Sequence, residues 1–323
     1  MKQQLRLFHQ LDSELRLVEN ELFQFIKTDF PTLRESAVHL LAAGGKRLRP
    51  AFTLLAGKFY SSSDNKLLPA AMALELIHMA TLVHDDIVDA STTRRGRPTV
   101  KAQWGNTVSV RTGDYLLAKS LELIAEINQP DVSRILARVS IEMCKGEIQQ
   151  IKTLFDTRQN HKQYYYRIKR KTALLIQASC LTGGIVSGAP RKEVWALGAY
   201  GHSLGIAFQI GDDILDITAE TAELGKPIGG DLRQGVITLP MIIALKHSPQ
   251  REKLHLLLGK KNKTKPEVDL SISLIKEAAV INEAMSWVDL YVNKAKGYLE
   301  NLPPLPARKA LEELAEFIRT RKF

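Results

Sequence analysis

Apolar positions along this chain recur mostly at three- and four-residue steps. Leu11, Leu15, Val18, Leu22 and Phe25 form one such stripe, which predicts an amphipathic helix that Pro31 closes. Comparable stripes fill most of the remaining sequence, and no segment alternates reliably with period two. Turn-forming clusters punctuate the pattern at 61–65, 95–98, 128–130, 188–190, 259–266 and 302–305. The expected fold class is therefore all-α, with on the order of ten or more helices joined by short turns.

A chain of 323 residues with 45% hydrophobic content buries a large core and lies near the size at which chains divide. No Gly/Ser-rich or Pro-rich linker interrupts it, so a single domain over 1–323 is expected. The net charge of +10 suits diphosphates, nucleic acid or an acidic membrane surface equally and does not choose among them. The basic run from Lys260 to Lys265 carries no interleaved aromatic residues, which favours a solvated loop over a nucleic-acid patch. Cys144 and Cys180, each inside a helical apolar pattern, are expected as buried free thiols in a reducing compartment. The N-terminus lacks the pattern of a signal peptide, and no run of about 18 uncharged apolar residues occurs, so a cytoplasmic location with at most peripheral membrane contact is expected.

One short carboxylate pattern occurs twice, as Asp85, Asp86, Asp89 and as Asp212, Asp213, Asp216, each time in a helical apolar stretch. On a helix the first and last Asp of each set stand one turn apart on one face, with the middle one beside them. Six uncompensated carboxylates repel one another, whereas Mg²⁺, which takes a few carboxylates together with water and substrate phosphates, neutralises them. The implied ligand is a phosphate ester. Cations accompany the rows: Lys46, Arg47 and Arg49 after Gly44-Gly45, then Arg94-Arg95, Lys171 with Thr172, and Lys226 in Gly225-Lys226-Pro227, which Asp231 follows. Taken singly, each has an ordinary structural explanation, such as helix caps and solvated loops. Two acidic rows with basic clusters between and around them suit a cavity that binds two diphosphates through metals.

In these segments the chain resembles the trans-isoprenyl diphosphate synthases, and the match runs almost end to end. The motifs fall in the family's order: Gly-Gly-Lys-Arg-x-Arg-Pro, Leu82 to Asp89, Arg94-Arg95-Gly96, Lys171-Thr172, Gln209 to Asp216, and Gly225-Lys226-Pro227 with Asp231. More narrowly, Met79 to His84 and the terminal Arg321-Lys322-Phe323 are similar to the large catalytic component of bacterial heptaprenyl diphosphate synthases. The resemblance implies a helical bundle around a deep central cavity, of isoprenoid synthase type. It implies that Lys46, Arg49, His78 and Arg95 hold isopentenyl diphosphate, and that Arg94, Lys171, Thr172, Gln209 and Lys226 hold the allylic diphosphate. Asp85, Asp89 and Asp212 would be the principal Mg²⁺ ligands, supported by Asp86, Asp213 and Asp216. Without the resemblance, a lone helical histidine such as His78 reads as structural. The resemblance also implies a smaller, dissimilar partner subunit, self-association of the catalytic chain, and a product destined for menaquinone side chains.

Two departures stand out. Gly211 replaces the usual apolar residue before the second row and is expected to loosen that helix, since Gly costs up to about 1 kcal/mol relative to Ala. Val236 stands where many relatives place a lysine. The small Ala80 and Thr81 lie about one turn before Asp85 on the same helix, where a bulky ring would plug a chain-length tunnel. A product longer than about twenty carbons is expected, thirty-five before thirty, with close helix packing as the alternative use of the two small residues. Rival readings fare less well. A terpene cyclase normally has a mixed Asn/Ser/Glu second motif, a His-Asp phosphohydrolase built on His84-Asp85 needs further histidines, and a non-catalytic regulatory subunit would have lost an acidic row.

Overall fold

The computed structural model describes residues 11–60, 66–219 and 228–320. They form α1 (Asp12–Phe25), α2 (Pro31–Ala42), α3 (Leu48–Gly57), α4 (Leu67–Val88), α5 (Val100–Ile127), α6 (Pro130–Lys152), α7 (His161–Ile168), α8 (Leu174–Val186) and α9 (Arg191–Thr218). Then follow α10 (Gly230–Gln234), α11 (Leu239–His247), α12 (Arg251–Gly259), α13 (Lys265–Ile275), α14 (Ala278–Leu299) and α15 (Pro306–Thr320). The all-α expectation holds, with two local exceptions.

The first is a two-stranded hairpin, β1 (Thr93–Arg94) against β2 (Arg97–Pro98). Its turn residues Arg95 and Gly96 have φ of 53° and 74°. Positive φ at both turn positions matches the right-handed twist of the strands, and Gly96 adopts it at no steric cost. The second is a π-turn at Lys169–Ala173, which joins α7 to α8. Hydrophobic periodicity cannot reveal either, because both are too short to repeat a pattern.

The chain divides into two compact units, 1–137 with 175–198 and 299–313, and 138–174 with 199–298 and 314–323. In the first unit α4 packs on α5, α3 and α1, and α2 packs on α5. α4 is apolar on nearly all sides, and thirteen of its residues are buried, which marks it as a core helix. By length and composition it could cross a membrane, but 67% of that window is buried inside the protein. Close approach is set by small residues: a Cβ on Gly183 in α8 would stand 2.2 Å from the Thr53 carbonyl oxygen of α3. In the second unit α11, α12 and α13 pack on one another, and α11 also meets α7.

Leu11, Val18 and Leu22 of the opening stripe are buried as expected, while Phe25 is half-buried beneath the Lys119 ammonium, 3.9 Å from its ring centre. Two expectations need correction. Cys144 is exposed on α6, and only Cys180 is buried, with its thiol pKa pushed up by that burial. Gly211 does not loosen its helix: α9 runs unbroken through it, and a Cβ there would meet nothing within 4 Å. The 61–65 turn lies outside the described residues, as do Arg321 to Phe323.

Candidate active site

The first acidic row occupies the last turn of α4, where the Asp89 amide donates to the Asp85 carbonyl at 2.8 Å. A helix C-terminus carries partial negative charge, so three carboxylates there raise the field further and favour a cation. The three do not act alike. Asp85 and Asp89 are half-buried, whereas Asp86 is 1% exposed and turned inward. Arg94 from the hairpin clasps it, Nε donating at 3.0 and 3.1 Å to the two oxygens and Nη2 at 2.7 Å to Oδ1. The Ser91 amide donates to the Asp86 carbonyl at 3.0 Å, and Thr99 Oγ1 donates to the Ser91 carbonyl at 2.9 Å, which closes the loop that carries the hairpin.

The same hairpin brings Arg95 over the Gly44–Arg47 loop. A Cβ on Gly45 would lie 2.6 Å from the Arg95 guanidinium, so the glycine lets that side chain lie against the loop. Arg47, at the αL position that opens α3, turns inward. Its guanidinium donates to Glu75 at 2.8 Å, to Glu19 at 2.7 Å and to the Leu41 carbonyl at 3.0 Å. Arg47 is thus a structural cation, while exposed Lys46 and half-buried Arg49 flank it. Burial and then the charges of Arg49, Arg95, Arg94 and Arg47 hold the His78 pKa well below its usual 6.5. Arg49, His78 and Arg95 of the expected diphosphate clamp therefore converge, with His78 a neutral hydrogen-bonding group near pH 7.

Stability should depend on pH as a result. The unfolded chain protonates His78 more readily than the folded one, so its contribution is complete above about pH 6.5 and is lost as pH falls from there toward the folded value. A His78→Gln variant should lose less stability than the parent between pH 7 and pH 5 in urea titrations. Equal losses would contradict the placement.

The second row lies in the last two turns of α9, in the second unit. Asp212 is half-buried, and Asp213 and Asp216 are each 3% exposed. Tyr164 Oη donates to Asp213 Oδ2 at 2.6 Å and Gln209 Nε2 donates to Oδ1 at 2.8 Å. Thr172 Oγ1 donates to Gln209 Oε1 at 2.5 Å. Burial pushes the Asp213 carboxyl up to about 6, against the lowering effect of these donors. Asp216 Oδ2 accepts from the Asp231 amide at 3.0 Å, and the Asp216 carbonyl from the Gly229 amide at 2.7 Å, so this residue ties α9 to α10. The backbone of Val236, buried at the expected lysine position, donates to the Asp231 carbonyl at 2.9 Å.

Lys171 and Thr172 ride on the π-turn. Such an insertion shifts side chains relative to an α-helical register and is frequent at functional positions. Small residues make room for it on both sides: a Cβ on Gly146 would meet Arg170 Cβ at 2.8 Å, and one on Gly205 would meet Ala173 Cα at 2.6 Å. Lys171 Nζ pairs with Glu147 at 2.9 Å. Arg167, 3% exposed, anchors α7 by donating to Gln159 Oε1 at 2.9 Å and to the Ile237 carbonyl at 2.5 Å. Sequence reasoning missed Tyr164, Arg167 and Glu147; helical spacing from Lys171-Thr172 was a signal for Tyr164 and Arg167, and nothing marked Glu147, which comes from α6. Lys226 lies outside the described residues.

Among the described residues no group of three or more His, Cys, Asp or Glu side chains is placed to hold a metal. Asp85 and Asp89 instead offer a pair of carboxylates at a helix C-terminus, the donor set that suits a hard divalent cation completed by water and phosphate oxygens. Asp86 and Asp213 accept hydrogen bonds on both oxygens, which fixes their orientation beside Asp85 and Asp212. His84 packs against α5. Its ring packs where a Gly113 Cβ would stand, with Nε2 3.4 Å from the Val110 carbonyl and 3.7 Å from Asp114 Oδ1, and among the described residues it joins no group of three or more metal-binding side chains.

Residues 30–275 match the family model for polyprenyl synthetase. The chain belongs to the polyprenyl synthetase family. It is 46% identical over 313 residues to heptaprenyl diphosphate synthase component 2 of Bacillus subtilis (strain 168), covering 97% of this chain and 89% of that one. The component 2 protein of Geobacillus stearothermophilus is 45% identical, with 97% of each chain covered. Among solved structures, a heptaprenyl diphosphate synthase from Staphylococcus aureus matches with a TM-score of 0.91 at 36% identity, covering 96% of this chain and 98% of that one. A Caulobacter crescentus CB15 polyprenyl synthase, complexed with calcium and isoprenyl diphosphate, matches with a TM-score of 0.93 at 34% identity, covering 99% and 97%. Membership of this family rules out a terpene cyclase.

Proposed function

We propose that the chain is a chain-elongating prenyltransferase. It condenses isopentenyl diphosphate onto an allylic diphosphate such as farnesyl diphosphate, and it releases an all-trans polyprenyl diphosphate, heptaprenyl before hexaprenyl. The observation that carries this reading is the convergence of Arg49, His78 and Arg95 beside an acidic row whose middle member is fixed by Arg94. Near-full-length identity to two component 2 proteins supports it.

The divalent cation in this reading is Mg²⁺; Asp85 and Asp89 would hold it on the first row, and Asp212 is the residue of the second row assigned to the same role. When bound, it would neutralise the diphosphate and stabilise its departure. Lys171 holds the allylic diphosphate by charge, and the Lys46, Arg49 and Arg95 cations hold isopentenyl diphosphate by charge-assisted hydrogen bonds. The allylic C–O bond breaks and pyrophosphate leaves with the electron pair. The isopentenyl double bond then forms the new C–C bond, and a proton is lost to restore the alkene, with the departing pyrophosphate as acceptor. Holding both reactants in place supplies much of the rate, and exclusion of water prevents hydrolysis of the cation. No side chain is assigned as general base.

In this reading residues 1–323 are assigned to one polyprenyl synthase domain. Two relatives are named as component 2 of a heptaprenyl synthase, which implies a partner component. We assign the chain a smaller dissimilar subunit, self-association, a cytoplasmic location with peripheral membrane contact for product release, and menaquinone side chains as the end use.

The test is turnover of farnesyl diphosphate, labelled isopentenyl diphosphate and Mg²⁺, with the product weighed by mass spectrometry. A thirty-five-carbon product is expected with the small subunit added, and a sharp loss of activity without it. Thr81 is half-buried and Ala80 is 2% exposed on α4, so an aromatic ring is better accommodated at Thr81. Thr81→Phe, and Ala80→Phe if it folds, should shorten the product; unchanged length would remove the tunnel assignment.

A further inference from the structure

We propose that Tyr164 is a positioning residue for the second acidic row, acting on Asp213 as one end of a hydrogen-bonded chain that begins at Thr172. This rests on the proposed prenyltransferase reading and adds to it a residue and a direction.

The polarity of the chain is fixed by chemistry. A carboxylate only accepts, so at 2.6 Å Tyr164 Oη is the donor to Asp213 Oδ2, and at 2.8 Å Gln209 presents its amide nitrogen to Oδ1. The Gln209 oxygen must then face the other way, where it accepts the Thr172 hydroxyl proton at 2.5 Å. Both ends of Asp213 are thereby held, and the proton of Thr172 is committed. Thr172 sits in the π-turn beside Lys171, so one side-chain chain ties the register of the allylic-diphosphate lysine to that of the carboxylate next to Asp212.

Tyr164 is well supported in this role. An Asn160 capping box opens α7, with Asn160 Oδ1 accepting from the Lys162 and Gln163 amides at 3.0 and 3.1 Å. The Arg167 guanidinium lies 5.5 Å from the Tyr164 ring centre, and the ring borders a small apolar hollow with Ile168, Ile210 and Trp287. The ring belongs to the core, and the hydroxyl alone reaches Asp213. Removing that hydroxyl frees one end of the carboxylate without opening a cavity. Partners of this kind behind ligands typically change metal affinity by about 10- to 100-fold.

The experiment compares Tyr164→Phe with the parent, as full chains together with the small subunit. It measures binding of farnesyl thiodiphosphate, a slowly ionising allylic analogue, as a function of Mg²⁺, and separately binding of isopentenyl diphosphate. The Mg²⁺ concentration for half-maximal analogue binding should rise roughly tenfold. Isopentenyl diphosphate binding should stay at its parental value, while the unfolding midpoint falls modestly because one buried Asp213 oxygen loses its donor. Gln209→Leu should raise the same Mg²⁺ requirement, and the double variant should show less than the product of the two effects, because both substitutions release one carboxylate. Parental Mg²⁺ dependence in Tyr164→Phe, or equal weakening of both ligands, would overturn the assignment. A parent that neither binds the analogue nor elongates farnesyl diphosphate would instead overturn the prenyltransferase reading and this inference with it.

Discussion

Asp85→Ala is expected to lower the rate of prenyl condensation by at least about a thousandfold while leaving the protein folded. Asp85 is half-buried at the C-terminus of α4, so shortening its side chain opens no cavity in the core. What it removes is half of the carboxylate pair assigned to the cation. Lewis-acid stabilisation of a departing diphosphate is worth several kcal/mol, and about 1.4 kcal/mol corresponds to each tenfold in rate. Asp86→Ala should differ in kind. It strands Arg94 and frees the hairpin that carries Arg95, so stability and isopentenyl diphosphate binding both fall. Turnover of labelled isopentenyl diphosphate, read beside thermal unfolding of both variants, separates the two. Parental turnover in Asp85→Ala would remove the metal assignment.

Arg47→Met should destabilise the protein by about 3–5 kcal/mol, a large part of the total stability of a typical domain. The Arg47 and Glu75 side chains are 6% and 2% exposed, with 2.8 Å between them. Truncating the arginine leaves the buried Glu75 carboxylate without its hydrogen-bonded cation, with only the charges of Arg49 and Arg95 near it. The loss arises from that stranded charge more than from the missing pair, because two buried ions gain little over apolar residues of similar shape. The double variant Arg47→Met/Glu75→Leu should therefore recover most of the loss. Urea midpoints of the two variants test this: a double variant no more stable than the single one would show that packing around the guanidinium carries the effect.

Arg47 also marks a limit of what residue order reveals. In Gly44-Gly45-Lys46-Arg47-Leu48-Arg49 three cations look equivalent, and spacing alone offers no way to choose among them. The αL conformation at Arg47, φ 46°, sends its side chain to Glu19 and Glu75. Cys144 illustrates the same limit, since a helical apolar pattern shows where a face lies but not whether a neighbour covers it. At Gly211 propensity is a weak local term of up to about 1 kcal/mol, too small to break a helix of 28 residues. The hairpin at Arg94 to Arg97 and the π-turn at Lys169–Ala173 are too short to leave a periodic trace, yet they set the positions of Arg94, Arg95, Lys171 and Thr172.

The sequence by itself determined the helical class, the two acidic rows with their one-turn spacing, and the order of the basic motifs, because these follow from residue type and period alone. Tertiary structure decided which members of each set face inward. Adjacent residues on a helix point about 100° apart, so in Asp85-Asp86 and Asp212-Asp213 one carboxylate can meet solvent and ligand while the next meets a partner. Arg94 for Asp86, and Tyr164 with Gln209 for Asp213, are brought there by chain segments distant in sequence or a turn away. Helix geometry places Gln209, while Arg94 and Tyr164 are placed by the fold.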